Sequence, residues 1–113
     1  MNINKKDIIG INQEIGEKGT FQKESSLDFA LQIIRQRKSW LQELAYLIRS
    51  LLTDHAFSDG NKRTSLALII TYLREKKLEY DRDRIILTIY YIARKNPKDI
   101  NKIMRLIKNV VIP

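Results

Sequence analysis

Apolar residues recur along most of the chain at the three- and four-residue spacing of a helix face, interrupted by short polar breaks. Asn4 is placed to cap a first helix carrying Ile8, Ile9 and Ile11, with Asp7 favourable in its first turn. Ile15 to Phe21 breaks the pattern, and its two glycines around Glu17-Lys18 suit a turn or small hairpin. Ser25 or Ser26 is read as the cap of a second helix containing Leu27, Phe29, Leu31, Ile33 and Ile34. From Ser39 a third helix sets Leu41, Leu44, Ile48, Leu51 and His55 along one side, which points the single histidine inward with the leucines. After the turn Ser58-Asp59-Gly60 a fourth helix begins near Asn61, and its apolar body from Leu66 to Leu73 is that of a helix surrounded by others. Asp81 caps a fifth helix reaching Arg94. Asn96-Pro97-Lys98-Asp99 reads as the start of a sixth, with Asn as the cap and Pro first in the helix. The expected fold class is all-α: a compact helical bundle of about six helices with a small β-hairpin flap near residues 15–22.

Length adds that residues 1–113 make one domain with one modest core. Without cysteine there is no disulfide, thiolate metal site or thiol nucleophile. No apolar run has the length of a membrane span and the polar start is not a signal peptide, so a cytoplasmic protein without membrane contact is expected. The net charge of +8 is lopsided, with +1 in residues 1–56 and +7 in residues 57–113. Such an excess attracts a phosphate-bearing ligand, an acidic protein or a polyanion.

One segment concentrates chemistry: His55-Ala56-Phe57-Ser58-Asp59-Gly60-Asn61-Lys62-Arg63-Thr64. A helix N-terminus offers unpaired N–H groups and partial positive charge, and Lys62 and Arg63 add cations where the helix dipole alone disfavours them. An anion removes that conflict. Asp59, with phosphate oxygens and water, is a carboxylate of the kind that holds Mg²⁺. His55 is suited to take a proton from a hydroxyl near neutral pH. Taken singly, each residue has an ordinary use as core filler, turn former or solvated charge; Phe57 is read as core in either case.

His55-x-Phe57-x-Asp59-Gly60-Asn61-Lys62-Arg63-Thr64 resembles the signature of the Fic/Doc family, matching it at His55, Phe57, Asp59, Gly60, Asn61 and Arg63. The resemblance implies a Fic-like helical fold and transfer of AMP or phosphate to a hydroxyl of a target protein. By position it makes His55 the catalytic base, Asp59 the Mg²⁺ ligand, and Gly60, Asn61, Lys62, Arg63 and Thr64 the ATP phosphate site. Gly16, Glu17, Lys18 and Gly19 become the flap that docks the target segment as an added strand. Lys62 stands where many AMP-transferring members have Gly, and Leu66 where they have a second Arg. Lys62 followed by Arg63-Thr64, and the short chain, are similar to the death-on-curing branch: toxins of toxin–antitoxin pairs that act as protein kinases, with a translation elongation factor as expected target. AMP transfer is the alternative activity. No complete Ser/Thr-x-x-x-Glu-Gly/Asn inhibitory motif occurs, so inhibition is expected from a separate antitoxin carrying that helix. A basic helical nucleic-acid-binding domain is the alternative of another class. Its only support is charge, since no recognition-helix signature or stacking platform accompanies the cations, and nucleic acid is not an expected direct partner.

Overall fold

The computed structural model describes residues 2–36 and 38–113. The element order is α1 (Lys5–Glu14), α2 (Glu24–Ile34), α3 (Trp40–Ile48), a π-helical turn (Arg49–Thr53), α4 (Asn61–Glu75), α5 (Arg82–Lys95) and α6 (Ile100–Lys108). Among the described residues there is no strand pairing beyond two isolated bridges, Phe21 with Phe57 and Tyr80 with Val111. The architecture is the all-helical one expected.

Several helices start where side chains can satisfy their first N–H groups. The Asn4 side chain accepts from the Asp7 N–H while the Asp7 carboxylate accepts from the Asn4 N–H, a reciprocal capping box. Ser39 accepts from the Gln42 N–H, and Asp81 from those of Asp83 and Arg84. Helix α3 runs through the middle of the molecule, against α2, α4 and α6. Leu44, Leu47, Ile48 and Leu51 are wholly buried with Leu27, Leu68, Ile85 and Ile103 in one apolar cluster. On α4 Tyr72 lies in this core, where burial pushes its phenol up from the usual tyrosine range. Among the described residues, no helix is long and apolar enough to cross a membrane.

Four local expectations need correction. Residues 15–22 form a folded-back turn, not a β-hairpin: the N–H groups of Gly16 and Glu17 bond to Gln13 and Asn12 carbonyls, and that of Gly19 to the Asn12 side chain. With those donors spent on the end of α1, the segment does not pair with itself, and Phe21 bridges to Phe57 instead. Lys23, and neither Ser25 nor Ser26, occupies the cap position of α2, because the helix begins at Glu24 and carries both serines within its first turn. Between α5 and α6, Asn96 ends α5 in the left-handed conformation (φ 50°) and Asp99 caps α6, so Pro97 lies in the link. Finally, α3 does not continue to His55. The Asp54 N–H reaches back five residues to Arg49 and the Ala56 N–H six residues to Ser50. The widened turn breaks the register that would have put His55 beside Leu51.

Candidate active site

The loop from Asp54 to Gly60 is held from below by nearly every group available. Ala56 and Phe57 are fully buried, and the Phe57 ring stacks on Phe21 at 4.8 Å between centroids. The Phe57 N–H donates to Asn61 Oδ1 (3.0 Å), and Asn61 Nδ2 donates to the Phe57 carbonyl (2.9 Å). The Ala56 carbonyl accepts from the N–H groups of Gln22 and Lys23, and the Ser58 N–H donates to the Thr20 carbonyl. Phe57 thus satisfies both backbone groups through one side chain, while its ring fills the core.

Two anchors come from far along the chain. Asn12, 1% exposed, donates to the Asp59 carbonyl (3.0 Å) and to Thr64 Oγ1 (3.1 Å), and accepts from the Gly19 N–H. One side chain therefore ties α1, the 15–22 turn, the loop and α4 together. Ser26 Oγ lies 2.7 Å from Asp54 Oδ2 and 2.9 Å from Ser50 Oγ. A hydroxyl proton serves one acceptor, so Ser50 donates to Ser26 and Ser26 to the carboxylate. This fixes the residue immediately before His55. Asn12 did not stand out in the sequence, and Ser26 was read there only as a helix cap; the signal for Asn12 was its place one turn after Ile8, on the buried face of α1.

The upper side is the reverse. His55 takes a left-handed backbone (φ 53°), a conformation disfavoured for a side chain with Cβ, and is exposed, not buried with Leu51. Among the described residues the ring has no hydrogen-bond or charge partner. Ser58 and Asp59 are exposed, and Gly60 (φ 79°) starts α4 without a side-chain cap. The first N–H groups of α4 therefore have no side-chain cap. His55, Ser58, Asp59, Gly60, Asn61, Lys62 and Arg63 line one open cleft of about 500 Å³, with Glu17, Leu52, Tyr90 and Ala93.

The candidate residues differ in how free they are. Lys62 extends along the cleft with its ammonium 5.8 Å from the Tyr90 ring centre. Arg63 is engaged: Nη2 pairs with Glu17 Oε1 at 2.7 Å and Nη1 donates to the Ile15 carbonyl at 3.0 Å. Glu17 also lies directly over Gly60, where an added Cβ would meet its Cγ at 2.5 Å. An internal carboxylate thus covers the cationic helix start. The Asn61 side chain is committed to Phe57, and Thr64 is fully buried beneath the cleft. Of the turn residues, Glu17 reaches the cleft, and Gly16, Lys18 and Gly19 do not line it.

Among the described residues no three acidic or imidazole groups gather as a metal cage. Mg²⁺ does not require one, since it keeps several waters and takes one or two carboxylates plus phosphate oxygens. The exposed Asp59 carboxylate, with no protein partner among the described residues and an anion-suited helix start next to it, fits that donor set.

A helical frame brings an exposed imidazole and the cation-bearing start of α4 to one cleft. The family model described as Fic/DOC family matches residues 2–73, taking in α1 through most of α4 and the whole cleft loop. The chain belongs to the Fic/DOC family, a transferase family that moves AMP or phosphate onto proteins with ATP as substrate, generally with Mg²⁺. No curated protein and no solved structure matches the chain.

Proposed function

We propose that the protein is a death-on-curing-type toxin that transfers the γ-phosphate of Mg·ATP to a side-chain hydroxyl of a target protein, a translation elongation factor. The observation that carries this reading is the shared cleft: exposed His55, whose ring has no partner among the described residues, and the start of α4, whose cap Gly60 lies under Glu17, line the same opening. Phosphoryl transfer relies on positioning and charge stabilisation; the loop is pinned for the first, and Lys62 and Arg63 at the start of α4 supply cations for the second.

In this mechanism the first N–H groups of α4, with Lys62 and Arg63, hold the ATP phosphates. Arg63 exchanges the Glu17 carboxylate for phosphate oxygens. Asp59 holds Mg²⁺, which when bound offsets charge on the phosphate oxygens. His55 removes the proton from the target hydroxyl as its oxygen attacks the γ-phosphorus; the new P–O bond forms as the bond to the departing ADP breaks. The left-handed backbone at His55 costs about 1–2 kcal/mol and is retained because it aims the ring into the cleft.

Phosphate is favoured over AMP by what surrounds Leu66. Many AMP-transferring members hold a second Arg at this place; here Leu66 lines a groove with Lys62, Arg63, Ile86, Ile89 and Tyr90. One bidentate phosphate partner is gone, and Lys62 supplies a point charge nearer the loop. A separate antitoxin completes the reading, since the chain lacks the inhibitory motif. The test is incubation with cell lysate and ATP labelled at either the α or the γ position. Label from γ appears on a protein, and His55→Ala abolishes it. Label from α alone selects AMP transfer, and undiminished transfer by His55→Ala removes the mechanism.

A further inference from the structure

The residues on either side of His55 are pinned to the same place. Before it, the Asp54 carboxylate accepts from Ser26 Oγ (2.7 Å), which in turn accepts from Ser50 (2.9 Å). After it, the Ala56 carbonyl accepts from the N–H groups of Gln22 and Lys23, each at 2.9 Å. Gln22, Lys23 and Ser26 all belong to the start of α2. His55 is thus held at two points on one mount, 30 residues away along the chain.

A mount is needed because the backbone has a more favourable course. Continuing α3 in α-helical register would bond the Asp54 N–H to the Ser50 carbonyl and align His55 with Leu51. Instead the Asp54 N–H reaches Arg49, and the Ser50 carbonyl accepts from the Ala56 N–H at 3.1 Å. The π turn and the left-handed residue after it both cost stability, so contacts from outside the turn must hold them. Its polar side chains make those contacts. Ser50 and Asp54 tie it to α2, while Thr53 Oγ1 donates to the Pro97 carbonyl (3.0 Å) and Arg49 Nη1 to that of Lys98 (3.1 Å). The two sets differ in reach: Thr53 and Arg49 hold the body of the turn, and Asp54 adjoins His55.

We infer that Asp54 and Ser26 are positioning residues that keep His55 out of the helix and in the cleft. Neither lines the cleft. Both line a separate small groove with Lys23, Phe29, Tyr46 and Arg49, so their effect on the cleft passes through the backbone of His55. Asp54 serves as an acceptor for the Ser26 hydroxyl, a task that an amide oxygen can take over. Without that bond the turn relaxes toward α-helical register and carries residue 55 toward Leu51. That the imidazole then acts as a base rests on the function proposed above; its placement does not.

The experiment is NMR of the intact protein and of its Asp54→Ala, Asp54→Asn, Ser26→Ala and Thr53→Val variants, with transfer kinetics alongside. A positive φ brings the amide proton and Hα of His55 close together, so the wild type gives a strong NOE between them. That NOE weakens and the ring Hε1 signal shifts in Asp54→Ala and Ser26→Ala, and both return to their wild-type values in Asp54→Asn. Thr53→Val also removes a hydrogen bond of the turn, yet leaves both signals in place. Asp54→Ala lowers kcat about tenfold with KM for ATP within about twofold, and Asp54→Asn restores kcat. Should Asp54→Ala fail to fold, Ser26→Ala, on another helix, makes the same comparison. An unaltered His55 NOE in Ser26→Ala and Asp54→Ala, no recovery in Asp54→Asn, or an equal disturbance in Thr53→Val would each overturn the inference. A wild-type protein without transfer activity would remove the proposed function, and the NOE comparison would still decide the placement.

Discussion

His55 and Phe57 stand two residues apart in one loop and meet opposite demands. Phe57 is wholly buried, stacked on Phe21, with both backbone groups bonded to Asn61. His55 is exposed and left-handed, and its ring has no partner among the described residues. The lower residue contributes stability, and the upper one is kept in a conformation that costs stability. The same division runs through the loop, with Ala56 and Thr64 buried below and Ser58, Asp59 and Lys62 exposed above. A cleft of this kind needs a rigid underside so that its upper side chains can stay unpaired and still be placed.

The sharpest way to break the comparison is from below. Phe57→Ala removes a fully buried ring and its stack, and lowers unfolding free energy by about 3–5 kcal/mol, read from urea denaturation. A loss below about 1 kcal/mol would show that the loop is not held through its underside. A smaller change of opposite sign is expected above. His55→Gly relieves the left-handed backbone and gains about 0.5–1 kcal/mol after the added freedom of the unfolded chain, while transfer activity is lost. Loss of both stability and activity would mean that the imidazole is structural.

Local chemistry is why much of this was readable from the sequence. Asn4, Ser39 and Asp81 cap helices through bonds spanning two or three residues, and the 55–64 segment lies in one stretch of chain. What stayed hidden depends on long-range partners or on backbone geometry. The spacing from Leu51 to His55 looks helical, and nothing in it announces the widened turn that ends the helix first. Two glycines suggested a hairpin, but Asn12 takes the donors that a hairpin needs. Asn96 was read as opening α6 because Asn-Pro is a start signal; it closes α5, since the same side chain also tolerates the left-handed end of a helix. The pairing of Arg63 with Glu17 joins residues 46 apart, a contact that neither local stretch contains.

The central claim is that the free imidazole and the covered helix start face one ligand. Because His55 is the only histidine, its ring Hε1 gives a single assignable NMR signal. Titration with Mg·ATP should move that signal, and in Glu17→Ala, where Arg63 loses its internal carboxylate, the movement should come at several-fold lower ligand concentration. A signal that stays in place while ATP saturates the protein would contradict the account.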